Sequence, residues 1–271
     1  MLERIPEQDI VMQEGNAVAA FDAAGLNGGP LFPIYHFNSL GYSQLLPQGA
    51  VVVDLFCGPA RFIEYLLRGR SDISAIGIDL SAEMLEIADK NIHAAGLADR
   101  VQLIEGDAAA VTELVKKPVD GISSLSALHH CPTKSHLVSV LQGIKSLQLS
   151  GAAVWLFDLV RPADERLLDV IPAMHEMSQQ TRLSDAFKVD WKNSLRAGWT
   201  FDEFLAALGE AQLELRSSQA DYSQLHWSGS ADAQVGASVP AWSGKVLTEQ
   251  EAQRVRRLHE SLDIEFVPSR G

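Results

Sequence analysis

The sequence predicts an α/β fold, in which a doubly wound, mostly parallel sheet of seven strands lies between helices. From residue 50 onward, short apolar runs alternate five times with amphipathic helical patterns. This alternation is typical of a parallel sheet whose strands are buried on both faces. Two short segments near residue 220 alternate apolar and polar residues, which indicates an antiparallel hairpin at one edge of the sheet.

The five repeats give the bounds of the core elements. Helix 81–95 has the clearest ends, because Ser81 is a favourable N-cap residue and Gly96 follows the last turn. Successive β-α units connect parallel strands, so we expect the carboxyl ends of the strands to share one edge of the sheet. The predicted strands are 50–55, 73–78, 101–105, 119–125 and 152–158, and the other predicted helices are 60–69, 108–117 and 133–148.

Three regions flank or interrupt these repeats, at residues 1–46, 162–198 and 229–271. Residues 1–46 contain weak helical patterns at 16–24 and 33–46, and we interpret them as an N-terminal cap or lid. The core is expected to extend over 47–228 and to carry a helical insertion at 162–198, after the fifth strand.

The second half of the chain has weaker patterns. The insertion begins with a helical stretch to about residue 180 and continues as a polar connection. The elements predicted after it are helix 200–211, hairpin strands 213–216 and 222–227, and a C-terminal loop and helix in 229–271, with the helix at about 248–262.

Composition excludes several function classes. The 271 residues carry a net charge of -13, and no run of Lys or Arg is longer than two, so we expect no nucleic-acid partner. The N-terminus has no basic, apolar leader, and no apolar stretch reaches the ~20 residues that a membrane span needs. The expected location is therefore the cytoplasm, without a membrane partner.

Cysteine content supports the same location. The chain contains only Cys57 and Cys131, which argues for a reducing compartment and against a disulfide framework. Two thiols without close spacing also fall short of a closed zinc site, so no metal is expected. Both cysteines are interpreted as small packing residues rather than nucleophiles.

Three acids stand at or just after the ends of the first three strands: Asp54, Asp79 and Asp107. Strand ends in a parallel sheet open on the crevice where ligands bind, so these carboxylates are expected to face one site. A carboxylate after the second strand can accept hydrogen bonds from both ribose hydroxyls, and one after the third can accept from an adenine amino group. The set is therefore interpreted as an adenosine site.

The first turn excludes a pyrophosphate cradle. Dinucleotide enzymes carry G-x-G-x-x-G there, whereas this turn has Gly58 but lacks the last two glycines. The acidic mouth favours a cationic ligand instead.

Four segments together resemble the class I S-adenosylmethionine-dependent methyltransferases, particularly the small-molecule branch. They are Asp54–Ala60, Gly77–Ser81, Gly106–Ala108 and Ser123–His130, and the resemblance covers roughly residues 50–158. It implies a Rossmann-like sheet and S-adenosyl-L-methionine as cofactor. Two departures are Ala60, where the family has a second glycine, and residues 149–152, which replace a Pro-Gly-Gly turn.

The resemblance also implies roles for the cofactor residues. Asp79 is expected at the ribose, Asp107 and Ala108 at the adenine edge, Met84 on the adenine face, and the backbone from Phe56 to Gly58 beside the methionine moiety. The complete expected set is Asp54, Phe56, Cys57, Gly58, Asp79, Leu80, Met84, Gly106, Asp107, Ala108, Leu125 and Ser126.

Catalytic candidates are His129, His130 and Asp158. In this branch a Leu-His-His segment lies near the transferred methyl, and an acid that ends the fifth strand lies opposite. A contact between His129 and Asp158 would set the imidazole tautomer and raise its basicity, as a general base requires. The alternative is that adjacent histidines only satisfy local backbone groups.

Acceptor and lid contacts are less well defined by the sequence. Arg161 is expected either to bind a substrate carboxylate or to pair with a surface acid. Tyr35 and His36 are expected to cover the cofactor, although amphipathic packing is the alternative explanation for both.

The function that the sequence favours is transfer of a methyl group to O, N or C of a small-molecule acceptor by in-line displacement, in which positioning supplies most of the rate. Two alternatives stay open at this point. One is a nicotinamide-dependent oxidoreductase, and the other is a non-catalytic scaffold or regulator that binds the cofactor. A homodimer is a further expectation.

Overall fold

Seven strands form a single sheet in the computed structural model of the chain, which describes residues 2–7, 15–26, 29–179, 182–220 and 222–228. The order across the sheet is β3-β2-β1-β4-β5-β7-β6. The first five are parallel, and β7 runs antiparallel to both of its neighbours. Their bounds are β1 Val51–Leu55, β2 Ser74–Asp79, β3 Val101–Glu105, β4 Gly121–Leu125, β5 Ala153–Leu159, β6 Arg216–Ala220 and β7 Ser223–Trp227.

Helices connect the parallel strands and cover both faces of the sheet. Short 3₁₀ turns are formed by Ala98–Arg100, Ala108–Ala110 and Leu128–His130. The helices in the described residues are α1 Gly15–Ala24, α2 Phe32–Ser43, α3 Arg61–Gly69, α4 Ala82–Ala94, α5 Val111–Leu114, α6 Lys134–Leu149, α7 Leu167–Gln179, α8 Asp185–Ala197 and α9 Phe201–Ala211. None of them combines the length and apolar character that crossing a bilayer requires.

The strand order reverses between β1 and β4, which creates the switch point of a doubly wound sheet. Asp54 at the end of β1 stands in register with Ser123 of β4. Ligands of open α/β sheets bind in the crevice outside the carboxyl ends of the strands at such a point. The predicted fold class is therefore confirmed, and the switch point lies where the sequence places its first acid.

Each face of the sheet packs against its own helices. One buried cluster joins Val53 and Leu55 to the apolar faces of α6 and α9. The opposite cluster joins Trp155 and Phe157 to α2, α3 and α4. Because α2 buries Phe37 fully in this second cluster, this helix is a layer of the core.

A third cluster lies over the carboxyl end of β5 and is built from the insertion. It brings together Leu159, Leu168 of α7, and Phe187, Trp191 and Leu195 of α8. The apolar side chains of α8 recur at intervals of four residues, so they share one face of the helix. Its N-cap is Ser184, whose side chain accepts a hydrogen bond from the Phe187 backbone N–H. The insertion therefore packs over the edge of the sheet where the acids stand.

Two predicted elements are corrected by the structure. The helix predicted over 108–117 is only a 3₁₀ turn followed by four residues of α5, because Val115 is extended and Pro118 disfavours helix at the residue before it. The strand predicted at 213–216 begins only at Arg216, because Gln212 ends α9 in a left-handed conformation and Leu213 still bonds to the last helical turn.

One helix was missed, and one lies outside the described residues. The predicted polar connection after residue 180 is helix α8, whose N-cap and four-residue apolar spacing are visible in the sequence. The C-terminal helix predicted at about 248–262 lies beyond the described part of the chain. The cysteines behave as expected, since Cys57 and Cys131 are both buried and free.

A Gly121→Ala substitution is expected to destabilise the fold. A Cβ at Gly121 would lie 2.4 Å from the Tyr42 hydroxyl oxygen and 2.5 Å from a methyl carbon of Leu46, and both side chains are buried. Overpacking of this kind costs ~1–3 kcal/mol. Gly209→Ala, on the exposed face of α9, is the matched control, because its Cβ would meet nothing within 4 Å and alanine favours a helix by ~0.5–1 kcal/mol. In urea denaturation, the midpoint of unfolding should be highest for G209A, intermediate for the wild type and lowest for G121A. Equal midpoints would contradict the packing described for Gly121.

Candidate functional site

A cavity opens at the carboxyl ends of β1, β2 and β4, under α1 and α8. Every residue that the sequence assigned to the cofactor lines it: Asp54, Phe56, Cys57, Gly58, Asp79, Leu80, Met84, Gly106, Asp107, Ala108, Leu125 and Ser126. The histidine pair lines the same cavity. The structure therefore brings the two predicted halves of the site together, while the roles of these residues stay predictions.

Asp79 links the first two turns of the cavity. One carboxylate oxygen accepts a hydrogen bond from the Gly58 backbone N–H at 2.7 Å, and the other accepts from the Ser81 N–H at 2.9 Å. Burial raises the pKa of Asp79, and these backbone bonds oppose the rise. Each oxygen keeps a second lone pair, so the carboxylate can still accept a hydrogen bond from a ligand.

Asp107 is arranged in a similar way at the end of β3. Its side chain caps the following 3₁₀ turn by accepting a hydrogen bond from the Ala109 N–H at 2.8 Å. His136 of α6 lies 3.4 Å from the same carboxylate. The side chain of Asp107 remains 43% exposed, so it can meet a ligand in the cavity.

Asp54 is the most enclosed of the three acids. It is 4% exposed, and its carboxyl accepts a hydrogen bond from the Ser123 hydroxyl at 2.7 Å. Burial raises the pKa of Asp54 to about 7, although the Ser123 bond acts in the opposite direction. Desolvation disfavours the ionised form of any carboxyl without a cationic partner.

Backbone strain concentrates around the same cavity. Phe56, Ala60 and Ser126 have φ angles of 57°, 58° and 50°, in the left-handed region that residues with a Cβ rarely adopt. Ala60 is thus left-handed at the position where the family motif has a glycine. Such outliers persist where the surrounding structure fixes them, and they cluster at functional sites.

His129 and Asp158 form a buried pair. The Nδ1 of His129 lies 2.6 Å from one Asp158 oxygen, which also accepts from the Leu159 N–H at 2.7 Å. The other Asp158 oxygen accepts from the His129 backbone N–H at 2.8 Å. An acceptor-only carboxylate requires the proton on Nδ1, so the lone pair stands on Nε2.

The Nε2 atom of His129 is buried and makes no hydrogen bond to another described residue. Burial by itself lowers the pKa of His129. The charge and hydrogen bond of Asp158 raise this pKa by more than burial lowers it, so the net shift is upward. An unpartnered basic nitrogen at a cavity wall is what a general base presents to its substrate.

The second histidine contacts the N-terminal segment. The Nδ1 of His130 lies 2.9 Å from the Glu7 carboxylate, which also accepts from the Ser194 hydroxyl at 2.8 Å. Burial raises the pKa of Glu7, but His130 outweighs it and brings this pKa to about 2. Ligand atoms of Glu7, His129 and His130 all lie within 4.8 Å of one another, a set that offers a divalent cation three donors.

Arg4 holds the turn that carries both histidines. Its guanidinium donates to the carbonyl oxygens of His129 at 2.9 Å and Cys131 at 2.6 Å. It also lies 3.6 Å from the ring centroid of Trp199. Residues 2–7 therefore form a strap across this turn, and no local signal in the sequence predicts it.

The predicted lid and acceptor residues have mixed outcomes. Tyr35 lines the cavity. His36 is outside the lining, and its ring nitrogen lies 3.0 Å from the Tyr65 hydroxyl. Arg161 is also outside, because its guanidinium is buried against Glu203 at 2.7 Å and donates to the Leu2 and Gly198 carbonyl oxygens. Its pairing with an acid of the protein is thus the alternative that the structure shows.

Sequence reasoning missed most of the wall opposite the cofactor residues. This wall comes from α1, α7, α8 and the approach to β7, and includes Phe21, His175, Phe187, Asp190, Trp191, Ser194 and Tyr222. The spacing of Phe187, Asp190, Trp191 and Ser194 was the signal available to find the lining face of α8.

Comparison with known sequences agrees with this geometry. Residues 52–148 match the family model described as a methyltransferase domain. A ubiquinone biosynthesis O-methyltransferase of Ralstonia nicotianae is 30% identical over 154 residues, which are 55% of this chain and 62% of that protein. A carboxy-S-adenosyl-L-methionine synthase of Campylobacter jejuni is 42% identical over 55 residues, 20% of this chain and 23% of that protein. The chain thus spans less than two thirds of these relatives.

Solved structures share the fold at low sequence identity. An O-methyltransferase family protein from Burkholderia thailandensis superposes with a TM-score of 0.58 at 18% identity, over 79% of this chain and 60% of that one. The plantazolicin methyltransferase BamL superposes with a TM-score of 0.54 at 18% identity, over 95% and 86%. Residues 52–148 thus match a methyltransferase domain, and the chain shares its fold with solved methyltransferases.

Stability should depend on pH through Asp54. In the unfolded chain this carboxyl loses its proton near pH ~4, whereas the folded protein holds it to about pH 7. The unfolded state binds fewer protons between these values, so stability falls as the pH rises through this window. Asp54→Asn removes this titration. The free energy of unfolding of the variant minus that of the wild type should therefore rise by ~2–3 kcal/mol between pH 5 and pH 8.

Urea denaturation of both proteins at pH 5 and pH 8 measures this difference. Other titrating groups are common to the two proteins and cancel in the comparison. Parallel pH dependences would show that Asp54 is ionised in the folded state.

Proposed function

We propose that this protein transfers a methyl group from S-adenosyl-L-methionine to a nucleophilic O, N or C atom of a small-molecule acceptor. The observation that carries the proposal is the buried His129–Asp158 pair, whose histidine lines the same cavity as Asp79 and Asp107. A binding site for the donor and a base for the acceptor thus share one enclosed space.

The donor set fits this cofactor. Asp79 would accept from the ribose hydroxyls, Asp107 would face the adenine, and buried Met84 would pack on its ring. A Cβ at Gly58 would meet only Phe21 at 3.8 Å, so the left-handed turn leaves open space beside the cavity. The bound cofactor would supply an activated methyl on a sulfonium, whose positive charge suits a wall of carboxylates.

His129 is proposed as the general base for acceptors that must lose a proton. Asp158 holds the imidazole in the Nδ1–H tautomer, so Nε2 can take a proton from an O–H or N–H group at the cavity wall. The resulting imidazolium is stabilised by the buried carboxylate at 2.6 Å. The remaining contribution is alignment of the acceptor, which accounts for most of the rate acceleration in an in-line displacement.

Enclosure of the cavity supports the same chemistry. Asp22 of α1 binds Arg61 at the start of α3 at 2.8 Å, and α8 packs on the opposite side. Walls on both sides would limit the water in the cavity once the ligands are bound, which would strengthen the electrostatic interactions inside it.

The alternatives have less support. A nicotinamide-dependent oxidoreductase would need the glycine-rich phosphate turn that the chain lacks. A non-catalytic cofactor-binding scaffold would have no use for a buried His–Asp pair with a free basic nitrogen. Location in the cytoplasm, the absence of a nucleic-acid partner, a homodimer and the domain bounds 1–46, 47–228 and 229–271 stay predictions.

Substitution of Asp79 should weaken cofactor binding. Asp79→Asn removes the charge and one acceptor site at the predicted ribose contact, so we expect about tenfold weaker binding of S-adenosylhomocysteine. Asp99→Asn, on the exposed turn before β3, is the matched control and should bind like the wild type. Calorimetry measures both affinities. Heat with S-adenosylhomocysteine and none with NADH supports the proposal, whereas the reverse would assign the site to a nicotinamide.

His129→Ala should lower turnover by ~10²–10⁴-fold, because it removes the base, while the affinity for S-adenosylhomocysteine stays unchanged. Asp158→Asn should also lower turnover and move the acid limb of the pH–rate profile to lower pH, because the carboxylate raises the pKa of His129. The measurement is S-adenosylhomocysteine release with a panel of phenols and amines. Near-normal turnover in H129A would refute the base assignment.

Chelation tests whether Glu7, His129 and His130 hold a metal ion instead. If His129 acts as the base without a metal, EDTA treatment followed by gel filtration should leave turnover unchanged. Loss of turnover that Zn²⁺ or Mg²⁺ restores would instead assign deprotonation of the acceptor to a cation held by Glu7, His129 and His130.

A further inference from the structure

Helix α8 presents one carboxylate and two aromatic rings to the cavity wall opposite the cofactor residues. In the proposed function this wall is the acceptor end of the cavity. Phe187, Asp190, Trp191 and Ser194 all line it, at spacings of three and four residues that place them on one helix face. Among the described lining residues at this end, Asp190 is the only acid, and Lys and Arg do not occur anywhere in the described lining. The wall therefore has a single formal negative charge with no lysine or arginine beside it, and His129 and His130 are nearby groups that can carry a positive charge.

Asp190 has no direct hydrogen-bonding or ion-pairing partner in the described part of the chain. The nearest lysines of its own helix are engaged elsewhere, since Lys188 lies 2.8 Å from Glu176 and Lys192 binds Asp169. A partly buried carboxylate without a partner is costly, and a ligand that supplies a positive charge removes that cost.

Aromatic rings surround this carboxylate. The Trp191 ring lies 5.9 Å from that of Phe187, 5.9 Å from that of Tyr222 and 5.0 Å from that of His175, centroid to centroid. The faces of Trp, Tyr and Phe rings attract cations, and aromatic surfaces combined with an acid are a known way to bind ammonium groups. They also offer apolar area to the carbon skeleton of an acceptor.

We infer that the acceptor carries a protonated amine, which Asp190 binds while the Phe187, Trp191 and Tyr222 rings pack on the adjoining apolar part. This inference rests on the proposed function, because it names the substrate class of the same cavity. Acceptors with a carboxylate or phosphate at this position are disfavoured, because the wall would repel them and offers them no arginine or lysine.

Three probes with one scaffold test the charge preference. Tyramine carries a cation, 4-ethylphenol is its neutral counterpart, and 4-hydroxyphenylacetate carries an anion on the same ring. With the full chain saturated with S-adenosylhomocysteine, calorimetry at pH 7.5 should show tyramine binding about tenfold more tightly than 4-ethylphenol, as a cation–aromatic contact with a carboxylate predicts. 4-Hydroxyphenylacetate should bind most weakly.

Asp190→Asn should abolish the preference for tyramine over 4-ethylphenol and leave the affinity for 4-ethylphenol unchanged. The matched control is Asp185→Asn, on the exposed first turn of the same helix, which should keep the preference. Thermal unfolding and S-adenosylhomocysteine binding of each variant show that it is folded.

A pH series on the wild type gives a second measurement that needs no variant. Burial, with the charge of Glu7, raises the pKa of Asp190 to about 6, and His130 and His129 lower it. The tyramine preference should therefore grow between pH 5 and pH 7 as Asp190 ionises. Equal binding of the cation and the neutral probe, tighter binding of the anion, or binding of none of the three would overturn the inference. S-Adenosylhomocysteine binding, measured separately, reports on the proposed function.

Discussion

Buried carboxylates at one edge of the sheet determine the shape of this site. An ionised acid removed from water must receive hydrogen bonds, and here the donors are mostly backbone N–H groups of the adjoining turns. Asp79 takes them from Gly58 and Ser81, while Asp158 takes them from His129 and Leu159. Each acid thus fixes the turn that it bonds to, so satisfying the charge and forming the cavity wall are the same set of contacts.

Asp54 differs from these two acids in a way that follows from its donors. It receives a hydrogen bond from the Ser123 hydroxyl rather than from a backbone N–H. A single neutral donor does not offset the desolvation of a carboxylate, so the protonated form is favoured up to about pH 7. The acid at the switch point is therefore near neutral in charge, and the negative charge of the cofactor end comes from Asp79 and Asp107.

The sheet and the cofactor end were predictable from the sequence because both depend on local signals. A strand that ends in an acid and a glycine turn specifies its own conformation, and Ser81 and Gly96 bound helix α4 as expected. The acceptor end was not predictable in the same way. Its wall joins α1, α7 and α8, and no spacing in the chain encodes how these helices meet.

Errors of prediction have separate physical causes. Helix 108–117 was too long because apolar spacing continued past Val115, where the backbone becomes extended. The first hairpin strand was placed too early because Leu213 and Leu215 alternate like a strand, although Leu213 completes the end of α9. Arg161 and His36 were assigned to the site from residue type alone, but buried partners hold both side chains away from it.

The strap of residues 2–7 connects the two ends of the cavity through the histidine turn. Arg4 fixes the backbone of His129 and Cys131, and Glu7 joins His130 to Ser194 of α8. His129 is thus held from one side by Asp158 of β5 and from the other by a segment more than a hundred residues earlier in the chain. Ser194 shares its helix face with Asp190, so Glu7 bridges the helix that carries the proposed acceptor contact and the turn that carries the proposed base. The insertion and the sheet therefore contribute to one connected site through a short set of contacts.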